Sequence, residues 1–96
     1  MLGLNVTFVI KPGKRGDFLE GLKTTGVHEE IRQEKGCIQY DFFLPQDHAD
    51  NLLLVEKWVC AEDQKVNLKQ PHMEKFNQLK ALYVDDTKLE FYDLND

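Results

Sequence analysis

The chain has 96 residues, of which 42% are hydrophobic, and a formal net charge of -5 at pH 7. A chain of this length builds one modest core, so we assign residues 1–96 to a single domain. The 12 Lys and Arg residues are scattered among 17 Asp and Glu residues. This pattern argues against a nucleic-acid partner, because binding to phosphate backbones depends on clustered cations.

The sequence also predicts a soluble, cytoplasmic protein with no membrane partner. No stretch approaches the roughly eighteen apolar residues of a membrane span, and the apolar N-terminus lacks the basic leader of a signal peptide. Cys37 and Cys60 form no short metal-binding motif. We therefore expect two free thiols and no metal site.

The first predicted elements are a strand and an interrupted helix. Residues 2–10 alternate as a strand with Asn5 and Val9 on the face opposite the leucines. A turn follows, and a helix begins near Asp17. Its apolar stripe is broken at "TTG", where Thr and Gly are poor helix formers. Such a break would release His28 from simple helical packing and allow it to point into a site.

Two further strands are predicted next. A strand begins at Cys37, and alternation places Ile38 with Tyr40 on one face and Asp41 with Phe43 on the other. Residues 52–59 alternate as a third strand in which Leu54, Glu56 and Trp58 share one face. A carboxylate between a leucine and the only tryptophan is unusual, and we single it out as a candidate site residue.

The order of elements predicts a ferredoxin-like fold of the α+β class. Helical sequence runs from residue 61 to about 82 with a break near Pro71, and residues 87–94 form a fourth strand. The resulting order β-α-β-β-α-β gives an antiparallel sheet with helices on one face. We assign Val9, Phe43, Leu54 and Trp58 to the uncovered face. That face is then too apolar to stay exposed, which predicts a homodimer that packs sheet against sheet.

Three segments in order carry a family resemblance: "EKGCIQYDFF", "LLLVEKW" and "NLKQPHMEKF". Together they resemble the antibiotic biosynthesis monooxygenase (ABM) family of dimeric α/β-barrel proteins, which includes small quinol monooxygenases and the isomerase of phosphorylated autoinducer-2. The resemblance implies a monooxygenase that needs no cofactor, neither metal nor flavin. In such an enzyme a small aromatic or quinol-like substrate is deprotonated in an apolar cavity and itself passes an electron to dioxygen.

The resemblance assigns roles to particular side chains. Glu56 or His28 is the expected base, with Asp41 as a further catalytic candidate. The expected substrate-binding residues are two amides that donate to a substrate oxygen, two aromatic walls and a histidine at a helix start: Asn5, Asn67, Phe43, Trp58 and His72.

Two other functions remain open. His28, Asp41 and Glu56 also match positions of the autoinducer isomerase, in which a paired acid and base would move a proton beside a carbonyl. Asn67 stands where many members carry a histidine, and an amide cannot act as a base. The chain could therefore be a ligand-binding dimer without catalytic activity. Heme chemistry is disfavoured, because Asn67 and Asn77 supply no axial ligand.

Each candidate also has a structural explanation. Glu56 could bond to backbone or partner groups, and Trp58 could simply belong to the core. Asp41 and His28 could lie on the surface, and His72 could cap or pack the start of a helix after Pro71. The decisive observation is a cavity beside Glu56 with convergent polar groups, because a filled interior would indicate a purely structural role.

Overall fold

The computed structural model describes residues 1–94 as one antiparallel sheet with helices on one of its faces. The eight elements are β1 (Leu2–Ile10), α1 (Arg15–Thr25), α2 (Val27–Arg32), β2 (Cys37–Phe43), β3 (Asn51–Trp58), α3 (Ala61–Leu68), α4 (Met73–Tyr83) and β4 (Val84–Asp93). The strand order in the sheet is β2-β3-β1-β4, and every neighbouring pair is antiparallel. The predicted ferredoxin-like α+β fold is confirmed, with each of its two helical segments divided in two.

The divisions fall where the sequence predicts them. Gly26 lies between α1 and α2 with φ 72, in the left-handed region that glycine adopts most easily. The Thr25 hydroxyl donates to the carbonyl of Gly21 at 2.8 Å, which helps to end α1. Pro71 lies in the turn between α3 and α4. Each break changes the direction of the chain, so that α2 packs on β2 and α4 packs on α1.

Element boundaries differ from the prediction in two places. The first helix begins at Arg15 rather than near Asp17, and β4 begins at Val84 rather than at Thr87. Val84 pairs with Ile10, and the Lys11 amide donates to the carbonyl of Tyr83 at 2.8 Å. The residues directly after α4 are therefore part of the sheet, because they pair with β1.

Strand register decides which face of the sheet is covered by helices. Leu54 lies opposite Val6, and Trp58 lies opposite Leu2, on the face that carries the core. Both side chains are buried beneath the helices. The prediction that Leu54 and Trp58 belong to the uncovered face was therefore wrong, because their shared alternation fixes a common face but not which face the helices cover.

A β-bulge changes the facing of the first residues of β2. The register shifts between Cys37 and Gln39, so Cys37 pairs with Trp58 and packs against the core. Ile38 is 49% exposed, although alternation had placed it with buried Tyr40. The extra residue of a bulge interrupts the period of two, which explains the reversal.

The opposite face of the sheet is the uncovered face, defined by the half-exposed or exposed apolar side chains Val9, Phe43, Leu53 and Val55. Phe43 is the most exposed of these four residues, at 48%. Within residues 1–94, no helix is both long enough and apolar enough to cross a membrane.

Candidate functional site

A pocket of about 480 Å³ lies between the helix-covered face of the sheet and helices α3 and α4. Leu54, Phe76 and Phe91 are among its apolar lining residues. The exposed lining residues belong to α3 and β4, as Leu68 and Phe91 do, so the mouth of the pocket lies between these two elements. Its volume falls in the range of small-molecule sites, roughly 300–1,000 Å³. We call it the Glu56 pocket, after the carboxylate that lines it.

Glu56 is only 6% exposed, because alternation along β3 turns it towards the helices. Its Oε1 atom accepts a hydrogen bond of 3.0 Å from the indole nitrogen of Trp58. Burial raises the pKa of Glu56, while the Trp58 hydrogen bond and the positive charge of Lys80 partly offset this rise. A carboxylate in this setting holds a proton more tightly than one in water and is a correspondingly stronger base.

Tyr40 and Lys80 line the same pocket. Tyr40 is the cross-strand partner of Glu56, and burial together with the Glu56 charge raises its pKa well above the ordinary value. Burial lowers the pKa of Lys80, whose Nζ atom lies 4.7 Å from the centre of the Phe76 ring. The pocket thus disfavours charge on both groups, so the Tyr40 phenol stays neutral near pH 7.

Asn67 is 1% exposed and lies on the α3 side of the pocket. Its Nδ2 atom donates to Oε2 of Glu34 at 2.8 Å and contacts the Met73 sulfur at 3.6 Å. The His72 Nε2 atom is 2.7 Å from the same Glu34 oxygen. His72 also lies 3.5 Å from the Glu30 carboxylate through its Nδ1 atom. Glu34 therefore joins the start of α4 to Asn67.

The pocket, its buried acid and its position in the fold can be compared with known proteins. The sequence profile described as antibiotic biosynthesis monooxygenase matches residues 1–79, which is most of the chain. The chain belongs to the ABM family. No curated protein matches its sequence.

Solved structures show the same fold over nearly the whole ABM chain. A Nitrosomonas europaea protein, assigned provisionally to the antibiotic biosynthesis monooxygenases, gives a TM-score of 0.86 at 20% identity and covers 97% of each chain. A conserved Methanosarcina mazei protein gives 0.85 at 21% identity, over 98% of this chain and 92% of its own. A Bacteroides thetaiotaomicron protein of unknown function, described as a possible oxidoreductase, gives 0.81 at 26% identity, over 97% of this chain and 96% of its own.

The ABM chain brings only some of the predicted site residues together. Glu56 and Asn67 line the pocket, and Trp58 lies behind Glu56 as its hydrogen-bond donor. His72 contacts Glu34 and does not line the pocket. Asn5 lies on the uncovered face, where its side-chain oxygen accepts a hydrogen bond of 3.1 Å from the Tyr92 hydroxyl.

His28, Asp41 and Phe43 line a different groove of about 560 Å³, between α1, α2 and the edge strand β2. A ring nitrogen of His28 hydrogen-bonds to the backbone carbonyl of Tyr40, and the carboxylate of Asp41 pairs with Arg32. His28 lies in α2, after the break at Gly26, and its ring packs against Phe42 of β2 beside this groove. Within the single chain, His28 lines this groove, whereas Glu56 lines the Glu56 pocket.

Tyr40, Gln64 and Lys80 are pocket residues that the sequence reasoning missed. Lys80 follows buried Met73 and Phe76 at helical spacing, so the sequence places it on the same side of α4. Tyr40 shares the inner face with Phe42, but its position beside Glu56 depends on the register of β2 against β3. Residues 1–94 contain no group of three or more His, Cys, Asp or Glu side chains arranged to hold a metal ion.

Proposed function

We propose that this ABM protein is a cofactor-independent monooxygenase that oxidises a small aromatic or quinol-like substrate in the Glu56 pocket. The observation that carries the proposal is a largely apolar pocket of about 480 Å³ with a buried carboxylate in its wall. Aromatic residues such as Phe76 and Phe91 suit a flat apolar ring. Glu56 suits the removal of one proton from that ring system.

In the proposed reaction, Glu56 first accepts the proton of a phenolic hydroxyl on the substrate. The free carboxylate oxygen is available for this step, because only Oε1 is engaged by Trp58. The phenolate that forms is held in an apolar pocket lined also by Lys65 and Lys80, and the positive charge of Lys80 acts on Glu56. Exclusion of water makes the phenolate more reducing than it is in solution.

The electrons for the oxygen chemistry then come from the substrate alone, while Glu56 moves the protons. The phenolate gives one electron to dioxygen, and the superoxide and phenoxyl radicals combine at a ring carbon to form a peroxide. The outer peroxide oxygen takes back the proton that Glu56 accepted, which gives a hydroperoxide. Glu56 then takes the proton on that ring carbon as the O–O bond breaks, which gives a quinone carbonyl and hydroxide. The hydroxide takes this second proton from Glu56 and leaves as water. One oxygen atom enters the product and the other is reduced to water.

We also propose a homodimer formed through the uncovered face of the sheet. The support is the row of half-exposed apolar residues that includes Phe43, Leu53 and Val55, on a face that no helix of residues 1–94 covers. Sheet-to-sheet packing would remove this apolar area from water. Asn5 lies on that face and would become a contact residue of the dimer instead of a substrate ligand.

The test is oxidation of 1-naphthol under labelled dioxygen, with a chelator present and no flavin added. The proposal expects 1,4-naphthoquinone with one labelled oxygen, because the reaction C₁₀H₈O + O₂ gives C₁₀H₆O₂ and H₂O. Labelled quinone at the rate of the protein-free control would contradict it. A phenol that lacks a free position opposite its hydroxyl is the matched control substrate.

The isomerase of a phosphorylated carbonyl compound remains the second candidate. Lys65 and Lys80 line the pocket and could attract an anionic group. However, the His28 and Asp41 side chains on which that reaction would rely lie in the other groove. Saturable binding of 1-naphthol without oxygen uptake would instead favour the third candidate, a ligand-binding dimer.

A further inference from the structure

The amide of Asn67 is satisfied at one end only. Its nitrogen contacts Glu34 Oε2 and the Met73 sulfur. Its oxygen accepts no hydrogen bond from any side chain or backbone group in residues 1–94. The same residues contain no fully enclosed polar side-chain atom without a partner, so the Asn67 oxygen is not fully enclosed, and the residue lines the Glu56 pocket. A buried residue thus presents an unpaired acceptor to the cavity.

Glu34 fixes which end of the amide faces the pocket. A carboxylate accepts hydrogen bonds and donates none, so it must face the NH₂ group of Asn67 and not the oxygen. Glu34 is itself held by His72 at 2.7 Å. Rotation of the amide by half a turn would bring two oxygens together and lose the 2.8 Å hydrogen bond. The acceptor orientation therefore belongs to the free protein and does not need a ligand.

We propose that Asn67 determines specificity by accepting a hydrogen bond from a second hydroxyl group of a quinol-like substrate, separate from the hydroxyl whose proton Glu56 takes. Glu34 and His72 act as positioning residues that hold its amide in this orientation. The inference rests on the proposed function, whose substrate is aromatic or quinol-like, and names the group that recognises a second hydroxyl. It also reverses the expectation that Asn67 donates to a substrate oxygen.

The consequence is a preference for a ring with two free hydroxyls over the same ring with one hydroxyl methylated. An ether of the same ring fills the apolar pocket equally well, but it leaves the Asn67 oxygen buried without a donor. A neutral hydrogen bond contributes roughly 1 kcal/mol, which corresponds to about a five- to tenfold difference in affinity.

The experiment measures anaerobic calorimetric dissociation constants of 1,4-dihydroxynaphthalene and 4-methoxy-1-naphthol, which both keep one hydroxyl for Glu56, so it does not depend on turnover. Wild-type protein should prefer the dihydroxynaphthalene about five- to tenfold. Asn67→Leu keeps the size of the side chain without its acceptor, and it should bring the ratio close to one while the affinity for the ether changes little. Glu34→Leu should also lower the ratio, although Glu34 does not line the pocket. Glu29→Leu, at an exposed position in α2 five residues before Glu34, is the charge-matched control and should keep the wild-type ratio.

The role of Asn67, the role of Glu34 and the proposed function are each contradicted by a different result. An unchanged ratio in Asn67→Leu overturns the role of Asn67, and an unchanged ratio in Glu34→Leu overturns the positioning role of Glu34. If Asn67→Leu does not fold, the side-chain amide signals of Asn67 in nitrogen-edited NMR spectra provide the test. Both ligands should shift these signals through the aromatic ring, but the dihydroxynaphthalene should shift them more because it adds a hydrogen bond to the amide oxygen, and equal shifts would contradict the inference. Labelled-oxygen incorporation reports the proposed function separately, so either idea can fail while the other stands.

Discussion

Replacement of Glu56 by glutamine separates the chemical role of this carboxyl from its structural role. The amide has the same shape, and its oxygen can still accept the 3.0 Å hydrogen bond from Trp58. It cannot take up a proton near neutral pH. Because a positioned general base contributes roughly 100- to 10,000-fold to rate, turnover of 1-naphthol should fall by at least about 100-fold.

The stability of Glu56→Gln should depend on pH in a defined direction. The pKa of Glu56 in the folded protein lies above its ordinary value of 4.5, so the folded state holds this proton more tightly than the unfolded state. The wild-type free energy of unfolding therefore contains a contribution that is complete below pH 4.5 and is lost as pH rises through the folded-state pKa. Glutamine does not ionise, so it loses no such contribution. The free energy of unfolding of the variant should therefore rise relative to that of wild type as the pH increases from 4.5 through the folded-state pKa of Glu56.

Urea unfolding from pH 4 to pH 8, followed by circular dichroism, measures this difference. At the acid end the two proteins should agree within about 1 kcal/mol, because the Trp58 hydrogen bond is kept. Turnover equal to wild type would show that Glu56 is structural and that the base lies elsewhere. Unfolding of the variant at all pH values would show that the carboxylate itself holds the fold together.

Three further predictions follow from particular contacts. Trp58→Phe removes the donor that lowers the pKa of Glu56, so the acid limb of the pH–rate profile should move to higher pH; an unmoved limb would exclude Glu56 as the titrating base. Gly36→Ala should destabilise the protein more than Gly13→Ala in thermal unfolding. Both glycines have positive φ, with a cost of about 1–2 kcal/mol for alanine, but only at Gly36 would the added Cβ collide with Asp63, so equal costs would contradict the packing. Sedimentation velocity at micromolar concentration should give about twice 11.2 kDa, and a clean monomer would rule out the proposed dimer.

Local sequence was sufficient for the elements and for their breaks. Alternation in β3 placed Leu54, Glu56 and Trp58 on one face, and the poor helix formers before Gly26 marked the end of α1. These features depend on the period of the chain and on the conformational preferences of single residues, which the sequence states directly. The family could be identified for the same reason, because its motifs lie in those elements.

Tertiary structure alone decided which groups meet. Alternation cannot say which face of a sheet the helices cover, so register placed Trp58 in the core. Pairing of β2 with β3 places Tyr40 beside Glu56, and His28, which follows the turn between α1 and α2, lines another groove. The orientation of the Asn67 amide depends on a carboxylate 33 residues away in sequence, at Glu34. The sequence states which chemical groups a side chain carries. The partner that orients those groups is known only from the tertiary structure, because it comes from a distant segment of the chain.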